Sequence, residues 1–169
     1  DSFGGETEVH AKLGNTTSTL RLTVFAKMEA NTGNLSDDQR TALDTPSPTA
    51  DPTVTITYPE KDTVFPLDVV APEIHLATGL AADVYRVRLE SRYFQATDYV
   101  APAQVRPELA VAAKVWENLG KSGQGAESDP VTLSITRLSN DVTYAPTQST
   151  WRIAQGRLNA AAYFVEIAS

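Results

Sequence analysis

The sequence predicts an all-β protein, an antiparallel β-sandwich with one inserted short helix and an N-terminal β-hairpin. Several short runs of residues alternate between apolar and polar side chains, which is the period of a half-buried strand. Ten prolines and nine glycines are spread along the chain and separate these runs. Only one stretch has the spacing of an amphipathic helix long enough to fill a gap between strands.

Composition limits the function classes that the chain can belong to. The 169 residues include no cysteine and two histidines, and the net charge is −7. Without cysteine there is no thiolate metal site and no redox pair, and we expect no cofactor. The acidic balance argues against nucleic-acid binding, and no apolar run has the roughly 20 residues of a membrane span. A cysteine-free, threonine-rich acidic chain of this kind favours an extracellular or cell-surface bacterial protein.

The N-terminal β-hairpin is predicted at residues 1–28. Thr7, Val9 and Ala11 alternate with polar residues, and Gly14-Asn15 is a turn signal. A second alternating run follows, with its apolar positions at Leu20, Leu22, Val24 and Ala26. A lone hairpin is marginally stable in water, so this pair of strands needs another surface to pack against.

Residues 29–52 are predicted to connect the hairpin to the sandwich domain. Ser36 followed three residues later by Gln39 is a capping-box pattern, which begins a helix that ends near Leu43. The tract from Thr45 to Pro52 holds three prolines and predicts a semi-rigid spacer.

The sandwich domain itself is predicted at residues 53–169. Its strands are predicted at Val54–Tyr58, Glu73–Ala77, Asp83–Ser91, Pro130–Leu138, Thr150–Ala154 and Ala160–Ile167. A helix is predicted between Pro107, which suits a first turn, and Gly120, which suits a C-terminal cap. Its apolar stripe includes Leu109, Trp116 and Leu119, and we expect Trp116 and Trp151 to be buried.

The sequence resembles two known families. The run Gly4–Ala11, the glycine at 14 and the strand Leu20–Val24 resemble the closing hairpin of a bacterial group-2 Ig-like domain. The runs Asn34–Asp44, Asp83–Leu89 and Thr150–Ala154 resemble a region of large secreted myxobacterial and deltaproteobacterial surface proteins, which often precedes a TolB-like β-propeller. These resemblances imply an immunoglobulin-like or fibronectin type III module, and they assign no catalytic or binding residue.

No pattern of catalytic residues emerges from the sequence. The only imidazoles, His10 and His75, lie far apart on predicted strands, which does not suggest a zinc site. No Gly-x-Ser-x-Gly nucleophile motif occurs. The acidic segments at Ser36–Asp38 and Ser139–Asp141 lack the ligand spacing of a calcium loop, and turn or cap roles explain both. We therefore expect no enzymatic activity.

The sequence leaves several binding roles open. Tyr93, Tyr99 and Tyr144 lie in predicted loops and are candidates for an exposed aromatic platform that binds a glycan. The face formed by Leu20, Leu22 and Val24 either docks on the sandwich as an extra pair of strands or completes a sheet of a neighbouring molecule. The expected function is a structural or interaction module. The alternatives are a carbohydrate-binding module and a subunit of a strand-exchanged polymer.

Overall fold

The computed structural model describes residues 3–77, 83–101, 108–123, 130–154 and 156. This part of the chain is mostly β, with two short helices. The strands are β1 (Gly5–Leu13), β2 (Thr16–Val24), β3 (Ala26–Ala30), β4 (Thr55–Tyr58), β5 (Val64–Pro66), β6 (Glu73–Ala77), β7 (Val84–Ser91), β8 (Phe94–Val100), β9 (Glu108–Ala110), β10 (Val131–Ser139), β11 (Val142–Thr143) and β12 (Thr147–Ala154). The helices are α1 (Asp37–Asp44) and α2 (Ala113–Lys121), and neither is long enough to cross a membrane.

The strands form three sheets. The main sheet has the order β3-β8-β7-β10-β12-β5, with β11 paired to β10. Its central pairs are antiparallel, while β3 and β5 join the two ends in parallel. A smaller antiparallel sheet has the order β4-β6-β9, and within the part of the chain that the structure describes β1 pairs only with β2. The result is a mixed-sheet, sandwich-like architecture with a separate two-stranded ribbon.

The main core lies between the main sheet, the smaller sheet and α2. Alternate residues of β7 and β10, such as Leu89 and Leu133, face this core. Phe65 of β5 makes edge-to-face contacts with Trp116 and Trp151, at ring-centroid distances of 5.4 and 5.8 Å. Both tryptophans are buried, as the sequence predicts. Their burial supplies much of the apolar area that drives this fold.

A second, smaller core covers the opposite face of the main sheet. Helix α1 lies over β7 and β10 and buries Leu43 completely. Leu35, Val84, Tyr99 and Leu138 are the other buried residues of this cluster. The predicted capping box is confirmed: Ser36 Oγ accepts from the Gln39 N–H, and the Gln39 side chain accepts from the Ser36 N–H. Because both faces of β7 and β10 are covered, these strands are central rather than one-sided.

The predicted division of the chain at residues 28 and 53 differs from the structure. Strand β3 lies at the junction of the first two zones and extends the main sheet, pairing with β8 from Ala26 to Ala30. The proline-rich tract contacts the sandwich instead of spanning space: the Ser47 N–H donates to Thr143 Oγ1, and Thr49 O accepts from the Ala145 N–H. The spacer prediction is therefore wrong, and residues 26–54 belong to the sandwich.

Most predicted strands are confirmed within a few residues. β6 has the predicted bounds, and β4, β7, β10 and β12 overlap their predicted ranges. The sequence did not predict β3, β5, β8, β9 and β11. The predicted strand at Ala160–Ile167 lies outside the described residues.

The predicted helix begins too early. Leu109 lies in β9, which pairs with β6, and α2 begins only at Ala113. Gly120 is a residue of the helix, not the cap after it, because α2 continues to Lys121. Trp116 and Leu119 nevertheless form the buried side of α2, as predicted.

Replacement of Trp151 by alanine tests the main core. The side chain has no solvent exposure, so Trp151→Ala should lower the free energy of unfolding by about 3–5 kcal/mol, because it leaves a cavity as well as losing buried area. Urea unfolding measures this change. Val70 is 88% exposed, and Val70→Ala, as the control, should change stability by less than about 0.5 kcal/mol. Equal midpoints for the two variants would contradict this account of the core.

Candidate interaction surface

The two strands β1 and β2 form a protruding ribbon, residues 5–24. They pair in register from Gly5↔Val24 to Leu13↔Thr16, joined by the two-residue turn Gly14-Asn15. Gly14 has a φ of 58°, which a glycine adopts without strain in a tight hairpin turn. Apart from Gly5, every residue of the ribbon strands is exposed. The predicted hairpin is thus confirmed, except that Ala26 belongs to β3.

One face of the ribbon is aliphatic. Because side chains alternate along a strand, Val9 shares a face with its partner Leu20, and with Leu22 and Val24. These side chains remain 49%, 60%, 40% and 50% exposed respectively. The rest of this face is formed by Thr7, Ala11, Leu13, Thr16 and Ser18 and carries no charge. A contiguous uncharged aliphatic face of this kind is typical of a surface that binds another protein.

The other face of the ribbon is polar. Glu8 contacts Arg21 at 3.4 Å, and His10 Nδ1 lies 2.9 Å from Thr19 Oγ1. Both contacts join residues that are directly opposite in the β1–β2 register. Exposed pairs of this kind contribute little to stability, so they orient the side chains of this face more than they hold the ribbon together.

The base of the ribbon is fixed to the body at Gly4. Its N–H donates to Ser122 Oγ at 3.0 Å, and its carbonyl accepts from the Gly123 N–H at 3.1 Å. A Cβ at this position would lie 1.9 Å from the carbonyl oxygen of Tyr93, so only glycine fits. Next to it, Tyr93 Oη donates to Glu6 at 2.9 Å. The ribbon therefore leaves the body at a defined point.

Of the two hypotheses for this hairpin, the structure contradicts docking as extra strands of the sandwich. β1 and β2 form their own sheet, and β3 takes the place beside β8. The face of Leu20, Leu22 and Val24 accordingly stays exposed among the described residues. Use of this face by a neighbouring molecule stays a prediction.

The three candidate tyrosines do not form a platform. Tyr93 and Tyr99 are only 4% and 3% exposed, so the expectation that they lie on surface loops is wrong. Tyr99 is a residue of β8 and lies beneath α1 in the second core. Tyr144 is half-buried, and the guanidinium of Arg137 lies 4.5 Å from its ring centroid. Each tyrosine thus has a packing role inside the fold.

A buried arginine cluster, which the sequence analysis missed, joins the proline-rich tract to β10. Arg137 donates Nε and Nη2 to the two carboxylate oxygens of Asp51, at 2.8 and 2.9 Å, and Nη1 to Asp83 at 3.0 Å. All three side chains are at most 4% exposed. Bidentate pairing of this kind satisfies charges that would otherwise be costly to bury.

Electrostatics of this cluster favour the ionised forms. Burial alone would raise the pKa of the Asp51 carboxyl, but hydrogen bonds from Arg137 and from the N–H groups of Thr53 and Val54 hold it below its usual value. The hydrogen bonds to Asp51 also raise the pKa of Arg137, against the effect of burial. Burial, together with the nearby Asp83 charge, raises the pKa of Tyr85 to about 12. The tract around Asp51 is therefore held by full charges.

A second arginine cluster lies under α1. Arg86 donates to Asp44 at 2.8 Å and to Thr136 at 3.0 Å, and Tyr99 Oη donates to the same carboxylate at 2.9 Å. Burial and this hydrogen bond raise the pKa of Tyr99 to about 12. The bonds to Arg86 and Tyr99 outweigh burial and lower the pKa of Asp44. The alternation of residues 84–91 predicts a solvated face for Arg86, so the local pattern does not reveal this cluster.

The remaining polar candidates lie apart. His10 is on β1 and His75 on β6, as predicted, and His75 packs against the ring of Tyr58. Within the described residues, no three side chains of the metal-binding types cluster together. Asn140 and Asp141 both have positive φ values at the β10–β11 turn, which agrees with a turn role.

A cavity of about 160 Å³ opens between β3, β8 and the start of α2. Its wall is mostly aliphatic and includes Met28, Ile74 and Val115. At its polar end Asp98 accepts a hydrogen bond from Thr32 Oγ1 at 2.9 Å. A space of this size is about that of one small ring, and the described residues give it one polar end.

Comparisons with family models, with curated proteins and with solved structures find no match to this chain. The features that bear on its function are therefore those of its own surface. Among the described residues, the aliphatic face of the ribbon stands out, because the arginine clusters and the candidate tyrosines are used inside the fold.

The Arg137 cluster predicts acid sensitivity. An unfolded aspartate has a pKa of about 3.9, and the pKa of Asp51 is lower in the folded chain. The stability that Asp51 contributes is therefore fully present above about pH 5 and is lost as the pH falls through about 4 and below. Urea unfolding at pH 7, 5 and 3 should show this loss in the wild type, and a weaker pH dependence in Asp51→Asn.

At pH 7 the Asp51→Asn variant should lose about 3–5 kcal/mol of stability, because it leaves a buried guanidinium only partly paired. The control is Asp141→Asn, at an exposed turn whose left-handed backbone asparagine tolerates. An acid slope that is the same in Asp51→Asn and the wild type would show that the cluster does not stabilise the fold through its charge.

Proposed function

We propose that this chain is a structural or interaction module of an extracellular bacterial protein or assembly, without catalysis, and that its sandwich is of the immunoglobulin-like or fibronectin type III kind. One observation carries the proposal: an anchored ribbon presents a contiguous aliphatic face to water. The cysteine-free composition and the resemblance to secreted surface proteins support the extracellular location.

The exposed face is costly for an isolated molecule. Each aliphatic side chain that moves from water into an apolar contact gains about 25 cal/mol per Å² of area. Four side chains on this face are 40–60% exposed while most of the other large aliphatic side chains lie in the two cores. A partner that covered Leu20, Leu22 and Val24 would recover this free energy.

The anchor at Gly4 makes the ribbon a suitable docking element. Ordering a loose segment upon binding costs conformational entropy, which weakens association. The hydrogen bond that Gly4 donates to Ser122 and the one that it accepts from Gly123 fix the base of the ribbon in advance. Because the aliphatic face carries no charge, the partner it suits is an apolar surface of a neighbouring protein domain or subunit.

The two alternative functions have less support. A glycan-binding platform depended on Tyr93, Tyr99 and Tyr144, and two of these rings are buried. A strand-exchanged polymer requires a strand that leaves its own sheet, whereas β1 and β2 keep a complete register with each other. The interaction module needs neither feature.

The double variant Leu20→Thr/Leu22→Thr tests the docking face. Threonine keeps the strand propensity and removes the aliphatic surface, so the thermal midpoint should stay within about 3 °C of the wild type. Retention of proteins from the cell-envelope fraction and the culture medium on the immobilised chain should fall to background. Val64 on β5 is 56% exposed, and Val64→Thr is the matched control.

Two results would contradict the proposed docking face. A large loss of stability in the double variant would show that these side chains serve the fold. Equal retention by the wild type and the double variant would show that partners bind elsewhere.

The absence of catalysis is tested separately. Panels of ester, peptide and glycoside substrates should show no turnover above background with the full chain. Reproducible turnover that a single Asp, Glu or Ser substitution abolishes would overturn this part of the proposal. Loss of the same activity in a heat-denatured sample would serve as the control for chemical hydrolysis.

A further inference from the structure

The outer edge of β1, the side away from β2, carries a pattern that fits a second copy of itself. We consider two antiparallel β1 strands in which Val9 of one copy lies opposite Val9 of the other. In this register the numbers of any two opposite residues sum to 18. Glu6 then lies opposite Lys12 of the other copy, and Glu8 opposite His10. The Glu6–Lys12 pair is charge-complementary and the Glu8–His10 pair can form a hydrogen bond, and both pairs occur twice because the arrangement is two-fold symmetric.

Backbone geometry agrees with the same register. The two-residue turn makes Leu13 and Thr16 a hydrogen-bonded pair, so the odd-numbered residues of β1 direct their N–H and C=O groups toward β2. Residues 6, 8, 10 and 12 then direct theirs outward. These are the same residues that carry the complementary side chains, and pairing would add eight backbone hydrogen bonds between the copies.

Charge also favours this part of the molecule for self-association. The whole chain has a net charge of −7, which makes random contacts between copies repulsive. Within the ribbon, Glu6 and Glu8 are balanced by Lys12 and Arg21, so its net charge is zero. Two copies can therefore approach through their ribbons with little of the repulsion that the body would impose.

The outer edge of β2 does not carry side chains that are complementary to those of a second β2. Its outward positions are Thr17, Thr19, Arg21 and Thr23, which offer no opposite charges to a second copy. Pairing through β1 alone is isologous and closes after two chains.

From these observations we infer that two copies of the chain associate through the outer edges of their β1 strands, in the antiparallel register centred on Val9. The product is a four-stranded sheet, β2-β1-β1-β2, with one aliphatic and one polar face. Three or more strands stabilise each other far better than two, so dimerisation supports the ribbon. It also doubles the width of the proposed docking face, although the inference does not depend on that function.

A single cysteine tests the register, since the chain has none of its own. In the proposed pair, Val9 faces Val9 at a non-hydrogen-bonded position, where the Cα atoms are about 4.5 Å apart. That distance suits a disulfide. Val9→Cys should therefore form a covalent dimer in a glutathione redox buffer, at protein concentrations of micromolar or above.

The matched control is Ala11→Cys, which is on the same face and is also exposed to solvent. In the proposed register its Cα is about 14 Å from that of the other copy, as four residues of strand separate them. Val9→Cys should be oxidised to dimer at least about tenfold faster than Ala11→Cys, because a bridge cannot span more than about 7 Å. Equal rates would overturn the register.

Two further comparisons separate edge pairing from chance collision. His10→Pro removes an outward N–H from β1 and should abolish cross-linking in the Val9→Cys background, whereas Thr19→Pro makes the same change at the directly opposite position of β2 and should not. Lys12→Glu should slow cross-linking at least about twofold by facing Glu6, while Lys27→Glu on β3 should leave it unchanged.

Sedimentation equilibrium of the wild-type chain gives the independent measure. The weight-average mass should rise above 18.2 kDa toward twice that value with concentration, and His10→Pro should prevent the rise. A mass that stays at 18.2 kDa, together with no cross-linking of Val9→Cys, would overturn the inference. Such a result would leave the docking face intact, because Leu20→Thr/Leu22→Thr tests that face on a monomer equally well.

Discussion

The fold depends on the buried pairing of Arg137 with Asp51 and Asp83. This one guanidinium joins three parts of the chain: the proline-rich tract, the residue just before β7 and the C-terminal part of β10. The attraction between these charges is partly offset by the free energy of desolvation, because each charge loses its hydration on burial. The two hydrogen bonds from Arg137 to Asp51 fix the end of the proline-rich tract against β10. Together with the contacts of Ser47 and Thr49, they hold a spacer-like sequence against the sandwich.

Local pattern predicts the strands whose own residues alternate clearly between apolar and polar, and it fails where polar residues interrupt that alternation. β6 matches its predicted bounds because its alternation and its flanking turn residues agree. The sequence does not predict β8, because Gln95, Thr97 and Asp98 interrupt its apolar pattern. In the structure Thr97 and Tyr99 lie on the face that α1 helps to cover, and α1 is more than fifty residues earlier in the chain. The residues next to β8 in the sequence therefore do not show that this face is covered.

The helix α2 illustrates a boundary set by tertiary structure. Leu109, Trp116 and Leu119 have helical spacing, and Pro107 is a sound start signal. The hydrogen-bonding edge of β6 nevertheless takes Glu108–Ala110 as a strand, because an unpaired buried edge would leave N–H and C=O groups unsatisfied. Trp116 keeps its predicted burial, and its indole N–H donates to Val69 O at 3.0 Å. The apolar spacing therefore predicts the buried face of α2 correctly at Trp116 and Leu119, but it predicts a helix that begins too early.

Of the candidate site, the sequence predicts the aliphatic face of the ribbon but not its anchor. The face follows from alternation within one hairpin, whereas the anchor needs Ser122, Gly123 and the carbonyl of Tyr93 to meet Gly4. These contacts hold only the base, and strands of nine residues extend from it. A two-stranded sheet of that length has little stability of its own in water. Contact along its aliphatic face or along its β1 edge would supply the missing free energy, and it would do so farthest from the body, where the ribbon has no support from its own chain among the described residues.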